Sequence, residues 1–548
     1  LAWGRLGSRG NIPNPLAVLS DHFGKNRALD GEMPNAPQDW FTGDSIGLFA
    51  GLDYTPPTFD KLTLHAGWGA DGYKAEETAI AGFHAPRSPW ELSANYSPTT
   101  WATLGAKLVG GNKVMGSVTL KNNLKKLALK SYKNKDPPPV NPARSGDSAA
   151  GSMESSAAAQ GLILSPVEKD SVNASGVLAL SPDMPLPLQI GRAARAMSNH
   201  GGASVESFHI TPTLYGLRGA SVHLIRRDFE QALARKQGSA EELWRHASFD
   251  PSSAQTLFID NGDKPPPRIR FIFENQTSLS EEDTGILHRE SLIGEIRHTV
   301  GRGFIMGSGL RLNLADNLSR IDVLRPAAIL PVRSNVSHFA QRRVAVDRVY
   351  IGWLKTLKTN LHLALTAGQL EEMYGGFGGE ILYRPFGKTW AIGADMYEAL
   401  KRDPAYTLNL GYNGDHLLTG HVNAWYEIPK TDMTAQLRLG RYLAQDLGGT
   451  LALSNRFDNG AALEAFVTAT DAADFDLFGG TTHVYSGVKF SVPLGSIKYI
   501  PQGSEARFTL APFGRDAGQS LDPTVSLYDT AEALSYRAIT HHWAEILK

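Results

Sequence analysis

From about residue 285 to 495 the chain alternates apolar and polar positions in segments of roughly ten residues. Leu361, Leu363, Leu365 and Ala367 share one face, and His362 and Thr366 share the other. Met433, Ala435, Leu437 and Leu439 alternate with Thr434, Gln436, Arg438 and Gly440. Val422, Ala424, Tyr426 and Ile428 alternate with His421, Asn423 and Glu427, with Trp425 as the exception. The same template fits 406–413, where Tyr406, Leu408, Leu410 and Tyr412 oppose Thr407, Asn409, Gly411 and Asn413. It also fits Ala461 to Thr468 and Val488 to Val492. Successive Cβ atoms of a strand point to opposite sides, so a period of two predicts strands with one apolar face. Gly, Asn, Asp and Pro punctuate them, and about a dozen strands are expected here.

A meander this long must curl, and closure removes its edges. The alternation does not say which face is inside. A soluble barrel buries the Leu/Val face; an outer-membrane barrel turns it to lipid and keeps a polar lumen. Two features favour the membrane form. Tyr350, Trp390, Tyr406, Tyr412, Trp425 and Tyr426 sit near segment ends, as interfacial aromatics would, and the apolar faces are rich in Ala and Leu rather than bulky core residues.

Residues 1–122 have the same texture, with about six strands. Leu62, Leu64, Ala66 and Trp68 alternate with Lys61, Thr63, His65 and Gly67. Val114, Gly116, Val118 and Leu120 alternate with Met115, Ser117, Thr119 and Lys121. Six strands are few for a barrel. There is also an echo. "GLFAGLDYTPPTFDK" (47–61) resembles "GFGGEILYRPFGK" (376–388), with Gly47, Tyr54 and Pro56 matching Gly376, Tyr383 and Pro385. The longer stretch "MYGGFGGEILYRPFGKTWAIGADMY" (373–397) reads as strand, Tyr-Arg-Pro-Phe-Gly turn and strand, its glycines allowing bending.

Between the β-regions the composition changes. Residues 121–135 are basic, and 136–161 ("DPPPVNPARSGDSAAGSMESSAAAQG") are rich in Pro, Ser, Ala and Gly. Together with the residues up to 182 they read as a linker. Residues 183–265 form a small α/β module. Ile190, Ala193, Ala194 and Met197 make a helical stripe, and "VESFHIT" and "ASVHLIRR" read as strands. "RDFEQALARK" is a helix with Phe229 over Leu233, and Ser239 to Glu242 is a capping box opening another. After about 500 come a strand, a loop and a helix carrying Ile539, Trp543 and Ile546 on one face.

The 548 residues imply several domains. The absence of cysteine excludes disulfides, thiolate metal sites and cysteine nucleophiles. A net charge of -1 argues against a dedicated nucleic-acid binder. No apolar run approaches the roughly 20 residues of a membrane helix, so any span must use strands. "LAWGRLGSRG" has no signal-peptide pattern; either a leader has been removed or the chain is a fragment.

Catalytic patterns are weak. "GDSIG" (43–47) matches a nucleophile elbow around Ser45, but that motif needs a following helix and here a strand is expected. His541 and His542 are adjacent and read as surface or packing residues. Glu371 and Glu372 fall on opposite faces of any strand, a poor acid/base pair. "GRGFIMGSG" (301–309) lacks the Gly-Lys-Ser/Thr of a phosphate loop. Arg384, Arg438, Glu464 and Lys489 are candidates to line a pore. No catalytic, cofactor-binding or metal-binding residue is assigned.

"EMYGGFGGEILYRPFGKTWAIGAD", "LTGHVNAWYE", "GRYLAQDLGGTLALSNRFDNG", "SVPLG", "LAPFGRDAGQSL", "AEELWRHASFD" and "WGRLGSRGNIPNPL" together resemble the YjbH family. Its members are bacterial exopolysaccharide-biosynthesis proteins related to a group 4 capsule protein. The resemblance covers nearly all of the chain. It implies a Gram-negative outer-membrane β-barrel protein that helps assemble or export a polysaccharide, with no known catalytic residue. The segment expected before Leu1, with any signal sequence or lipid-attachment cysteine, is not in the sequence.

The resulting expectation is an all-β dominated protein with two antiparallel outer-membrane-type barrels, the first incomplete. Its domains are 1–122 (first barrel unit), 123–182 (linker), 183–265 (periplasmic α/β module), 266–500 (second barrel unit) and 501–548 (strand, loop and helix). It would be non-catalytic and without cofactor. Its partners would be outer-membrane lipid, a polysaccharide chain and other secretion proteins, not nucleic acid. The alternatives are a surface β-rich scaffold or adhesin, and an outer-membrane serine hydrolase using Ser45.

Overall fold

The computed structural model describes residues 1–3, 7–10, 12–25, 41–73, 77, 84–121, 129–133, 136–140, 152–165, 167–170, 172–234, 239–251, 265–281, 285–321, 331–406, 410, 416–475 and 481–548. It divides into two compact units, Leu1–Leu127 with Phe478–Thr482, and Ala128–Leu477 with His483–Lys548.

In the first unit, β1 (Ala50–Tyr54), β2 (Leu62–Trp68), β3 (Trp90–Thr99), β4 (Ala102–Val109) and β5 (Lys113–Leu120) form an antiparallel meander. The register lines up Leu52, Ala66, Leu92, Leu108 and Val114 across all five strands. Of these, Leu52, Leu92, Leu108 and Val114 are exposed. The opposite face is ionic: His65 lies 2.7 Å from Asp53 and 3.3 Å from Glu91, and Lys107 lies 2.7 Å from Glu91. This sheet is not closed among the described residues. The echo holds as structure, since Tyr54 and Tyr383 each end a strand before a hairpin turn.

The second unit opens with an α/β module. It contains α1 (Ser152–Ala159), β6 (Asn173–Ala179), α2 (Leu186–His200), β7 (Ser207–Leu214), β8 (Ser221–Ile225), α3 (Arg226–Ala234) and α4 (Ser239–His246). β6 and β7 are parallel, so the chain must cross over between them, and α2 does so. Ala174, Leu178, Ile190, Met197, Phe208 and Phe229 form a dry core. The expected linker, 123–182, differs in its second half: Asn173–Ala179 (β6) is a strand of the module sheet, paired along its length with β7, and the short strands Ile163–Leu164 and Glu168–Lys169 flank it. Ser152–Ala159 is a helix, because Met and Ala favour that state, and Met153 and Ala157 are buried in the module core.

Thirteen strands then close a barrel. They are β9 (Arg268–Glu281), β10 (Gly285–Gly301), β11 (Phe304–Asp316), β12 (Val344–Lys358), β13 (Leu361–Gln369), β14 (Tyr374–Tyr383), β15 (Trp390–Lys401), β16 (His416–Glu427), β17 (Met433–Arg441), β18 (Leu447–Arg456), β19 (Ala462–Phe475), β20 (Thr481–Pro493) and β21 (Glu505–Leu510). Consecutive strands are neighbours. An odd ring of up-and-down strands cannot close antiparallel throughout, so β21 meets β9 in parallel, from Ile272↔Glu505 to Thr277↔Leu510. Several turns at the module end are tight, as at Gly301–Phe304 and Lys358–Leu361, while Pro493 to Glu505 there is a longer connection. The opposite end carries the longest connection, from Asp316 to Val344.

The barrel is apolar outside and charged inside. Met396 is 64 % exposed and Val422 65 %, whereas Arg289 is 2 % exposed and Arg311 6 %. Arg311 is held by Glu274 at 2.5 Å and Asp347 at 2.8 Å, and Arg289 by Glu372 at 2.7 Å.

Three expectations are corrected here. Residues 406–413 do not make a described barrel strand. Tyr406 sits in a bend and Leu410 makes one isolated bridge to Arg402, while 407–409 and 411–413 lie outside the described residues. The proposed aromatic girdle also splits. Trp390 and Tyr426 face outward beside Tyr383, but Tyr350 and Trp425 point into the lumen, where Arg297 donates to the Tyr350 hydroxyl. Glu371 and Glu372 belong to a bend between β13 and β14, not to a strand, and both are held inside by arginines, Arg333 and Arg289 respectively.

After β21 the chain reverses and runs back down the lumen. Asp516 accepts hydrogen bonds from the backbone N–H groups of Val332, Arg333 and Ser334 near the far mouth. Further on, the Asp522 N–H donates to Glu371 and the Leu527 N–H to Glu380. The tail helices are α5 (Leu527–Glu532) and α6 (Tyr536–His541). Tyr528 stacks on Trp425 at 4.5 Å and 7°. Trp425, the exception to the outward apolar pattern, thus faces the tail. The last residues dock on α2, where a Cβ on Gly191 would sit 1.8 Å from the Ile546 carbonyl oxygen. At the far mouth a second apolar cluster includes Leu318, Val332, Phe339, Tyr374, Leu443 and Phe513.

Candidate functional site

Among the described residues, a candidate site lies at the module-facing mouth of the barrel. The Tyr-Arg-Pro-Phe-Gly turn lies there. Gly387 ends it at φ +75°, a conformation that suits glycine. Asn360 of the neighbouring turn holds it, accepting from the Arg384 N–H through its carbonyl and from the Phe386 N–H through its side chain.

Three pieces meet at this turn. Arg384 is buried between Glu427 of β16, at 2.5 Å, and Glu532 of α5. Its Nη1 is buried without an acceptor among the described residues. Phe386 meets Tyr536 of α6 edge-on at 5.4 Å and lies 6.2 Å from Phe249 of the module. Trp244 of α4 packs on Phe249 at 5.2 Å and on Trp543 of the tail at 4.9 Å. These rings staple the module, the barrel turn and the tail together. A second tie runs from the Arg218 N–H to Thr356, whose hydroxyl also meets His362 at 3.0 Å.

A cavity of about 310 Å³ opens between these elements. Its wall includes Arg218 from the module, Lys388 and Lys430 from two barrel turns, and Arg384 and Arg537. The carboxylate in that wall is Glu427, which Arg384 already holds. Phe386 and Tyr536 add aromatic surface, and Asn360, Thr431 and Thr540 add hydrogen-bonding groups. Burial draws the Arg218 guanidinium below its ordinary value. The cavity is therefore electropositive, partly aromatic and rich in donors. Thr356 and His362 are also in its wall, 3.0 Å apart, and the Thr356 hydroxyl is taken up by the Arg218 N–H.

The profile of the YjbH family, described as exopolysaccharide biosynthesis protein YbjH, matches residues 1–533. The chain belongs to the YjbH family. A relative, the uncharacterized lipoprotein YjbH of Escherichia coli (strain K12), is 26% identical over 558 residues, covering 96% of this chain and 76% of its own length. Among solved structures, Salmonella typhi OmpF in complex with daunomycin aligns with 41% of this chain and 84% of its own. At 10% identity and a TM-score of 0.23, that likeness carries no argument.

In this YjbH-family chain the other sequence candidates are dispersed. Ser45 starts a three-residue strand, Ser45–Gly47, which leads into β1 rather than into a helix, so the elbow geometry is absent. "GRGFIMGSG" is the β10–β11 hairpin, with positive φ at Gly301, Arg302 and Gly303. Arg438 points inward to Asn423 and Ser520. Glu464 and Lys489 pair at 3.0 Å on the lumen faces of β19 and β20. Of the lysines in 121–135, Lys125, Lys126 and Lys135 lie outside the described residues.

His541 and His542 do more than the sequence suggested. They and Asp458 bring ligand-type atoms within 4.8 Å of one another. However, His541 already meets Asp432 through Nε2 at 2.9 Å and Asp458 through Nδ1 at 3.1 Å. These contacts tie α6 to two barrel turns, and a metal would have to break one of them. Sequence reading passed over Arg218, Lys388, Lys430 and Arg537. The available signal was a basic residue in each of two short turns, Pro385–Lys388 and Ile428–Thr431.

Proposed function

We propose that this protein spans the outer membrane of a Gram-negative bacterium and serves exopolysaccharide biosynthesis and export as a non-catalytic component. The observation that carries the membrane assignment is the inverted polarity of the barrel, with Met396 and Val422 outside and Arg289 and Arg311 inside. An outward apolar wall suits lipid, whereas in water it would cost burial energy at every strand. The longer strands have the length a membrane crossing needs, about 9–11 residues. The longest connection between barrel strands, Asp316 to Val344, lies opposite the module, and in outer-membrane barrels the longer loops face outward, so we read the module as periplasmic. The five-stranded sheet of the first unit, apolar on one face and ionic on the other, is read as the wall of the first barrel. The polysaccharide role rests on the family membership. A glycan and other secretion proteins are the partners this reading requires.

With its tail inside, the barrel is a plugged body rather than a standing conduit. Export through the lumen would require the tail to leave. The test is deletion of the gene followed by sugar analysis of secreted and periplasmic material. The expected result is loss of secreted polymer with periplasmic accumulation; unchanged amount and composition would refute the reading. Heat-modifiable gel mobility of the purified protein tests the barrel's membrane character separately.

A further inference from the structure

Resting on the exopolysaccharide reading, we propose that the cavity at the module-facing mouth binds an acidic glycan, a sugar chain carrying carboxylate or phosphate groups. Four observations support it. The first is charge: among the described residues, Arg218, Arg384, Lys388, Lys430 and Arg537 stand in one wall with Glu427, and Glu532 behind it shares Arg384 with Glu427. Guanidinium and ammonium groups converging on a concave surface select anions, and they act more strongly there than on an open face.

The second is the aromatic surface. Phe386 and Tyr536 contribute to the wall, and Tyr536 is 36% exposed. The C–H face of a sugar packs against such rings while its hydroxyls meet polar neighbours. Asn360, Thr431 and Thr540 supply those neighbours. A bare inorganic anion would use neither feature. The third is Arg384, a wall residue whose Nη1 is buried just behind the cavity without an acceptor among the described residues. An unsatisfied buried donor is costly, and a small shift of the side chain toward an incoming oxygen would relieve it. The fourth is position. The tail threads the lumen, so a polymer reaching the barrel from the module side meets this cavity first. Its volume of about 310 Å³ lies at the small end of ligand sites, enough for a short piece of a chain.

The test uses the full chain in detergent and isothermal titration with three probes: an oligogalacturonate, a neutral oligogalactoside of equal length, and inorganic phosphate. The expected result is at least tenfold tighter binding of the uronate than of either other probe, weakening steeply with salt. The Lys388→Gln/Lys430→Gln pair changes exposed turn residues and should lower uronate affinity at least tenfold while heat-modifiable mobility is kept. Arg537→Gln, on the tail, should do the same and serves if the first variant fails to fold. Equal binding of charged and neutral sugars, phosphate as good as the uronate, or variants without effect would each overturn the proposal. Failure of the wider reading looks different: uronate binding would persist while deletion of the gene left secreted polysaccharide unchanged.

Discussion

The module and the barrel solve the same alternating code in opposite senses. In the module, Leu178, Phe208 and Ile210 are completely buried, while Arg227 keeps 69% of its side chain exposed. In the barrel, Phe377, Met396 and Val422 are each at least 60% exposed, while Arg289 and Arg311 are almost fully buried. Each solution is consistent only with its own surroundings. A dry core needs apolar side chains facing in; a charged lumen needs every buried cation paired. The barrel meets that second demand with Glu274, Asp347 and Glu372 around Arg311 and Arg289.

The sharpest way to break this comparison is to remove one interior group from each side. Phe208→Ala should cost the module about 3–5 kcal/mol, the usual loss for a buried ring. Arg311→Met should cost the barrel a similar amount, about 3–5 kcal/mol, because it strands buried carboxylates. Denaturant unfolding of the full chain in detergent, followed by tryptophan fluorescence and gel mobility, reads both. If Arg311→Met is neutral, the lumen is wetter than its burial implies.

The next largest effect tests the outer faces. Val422→Arg should cost about 2–4 kcal/mol in a bilayer if the residue lies near mid-membrane. The same change in a barrel surrounded by water should cost almost nothing. Folding into lipid vesicles, compared with folding in detergent, gives the difference. An equal yield for Val422→Arg and the unaltered chain would place this face in water.

A smaller effect concerns the element that joins the two regions. Glu532 holds Arg384 from the tail, and Glu427 holds it from the barrel. Glu532→Gln keeps the shape and removes one charge. The loss should be about 1.5–3 kcal/mol, the range for a hydrogen bond to a charged group. It should appear as faster tryptic cleavage at Arg537, with the barrel's gel mobility unchanged. Cleavage at the original rate would mean that the tail is held mainly by the aromatic cluster.

How much of this was legible beforehand follows from what periodicity encodes. Alternation located β13, β16 and β17 because a pleated strand imposes its period of two on any sequence with two unlike faces. It could not say which face was inside, since that depends on the solvent. The strand expected at 406–413 falls mostly outside the described residues, where only Tyr406 and the bridge of Leu410 to Arg402 are seen. The helix Ser152–Ala159 was hidden by the Pro/Ser/Gly composition around it. The mouth cavity was hidden more deeply. Arg218, Lys388, Lys430 and Arg537 come from four separate segments, and only closure of the barrel and return of the tail bring them into one wall. Trp425 was the one visible hint. It broke the outward pattern, and its partner Tyr528 lies in the tail.

That exception supplies the finest test. Trp425 and Tyr528 stack at 4.5 Å and 7°, a contact that exists only if the tail occupies the lumen. Each ring also packs on other neighbours, so single alanine variants would mix several losses. Tyr528, for instance, also lies beneath the Arg384 guanidinium at 4.6 Å. A double-mutant cycle of Trp425→Ala and Tyr528→Ala isolates the pair, because losses unique to either residue cancel. The coupling should be about 0.5–1.5 kcal/mol, the range for an aromatic pair beyond its buried area. A coupling near zero would mean that the tail leaves the lumen in solution. The barrel would then stand open at the module end, and its buried arginines would face water instead of the tail.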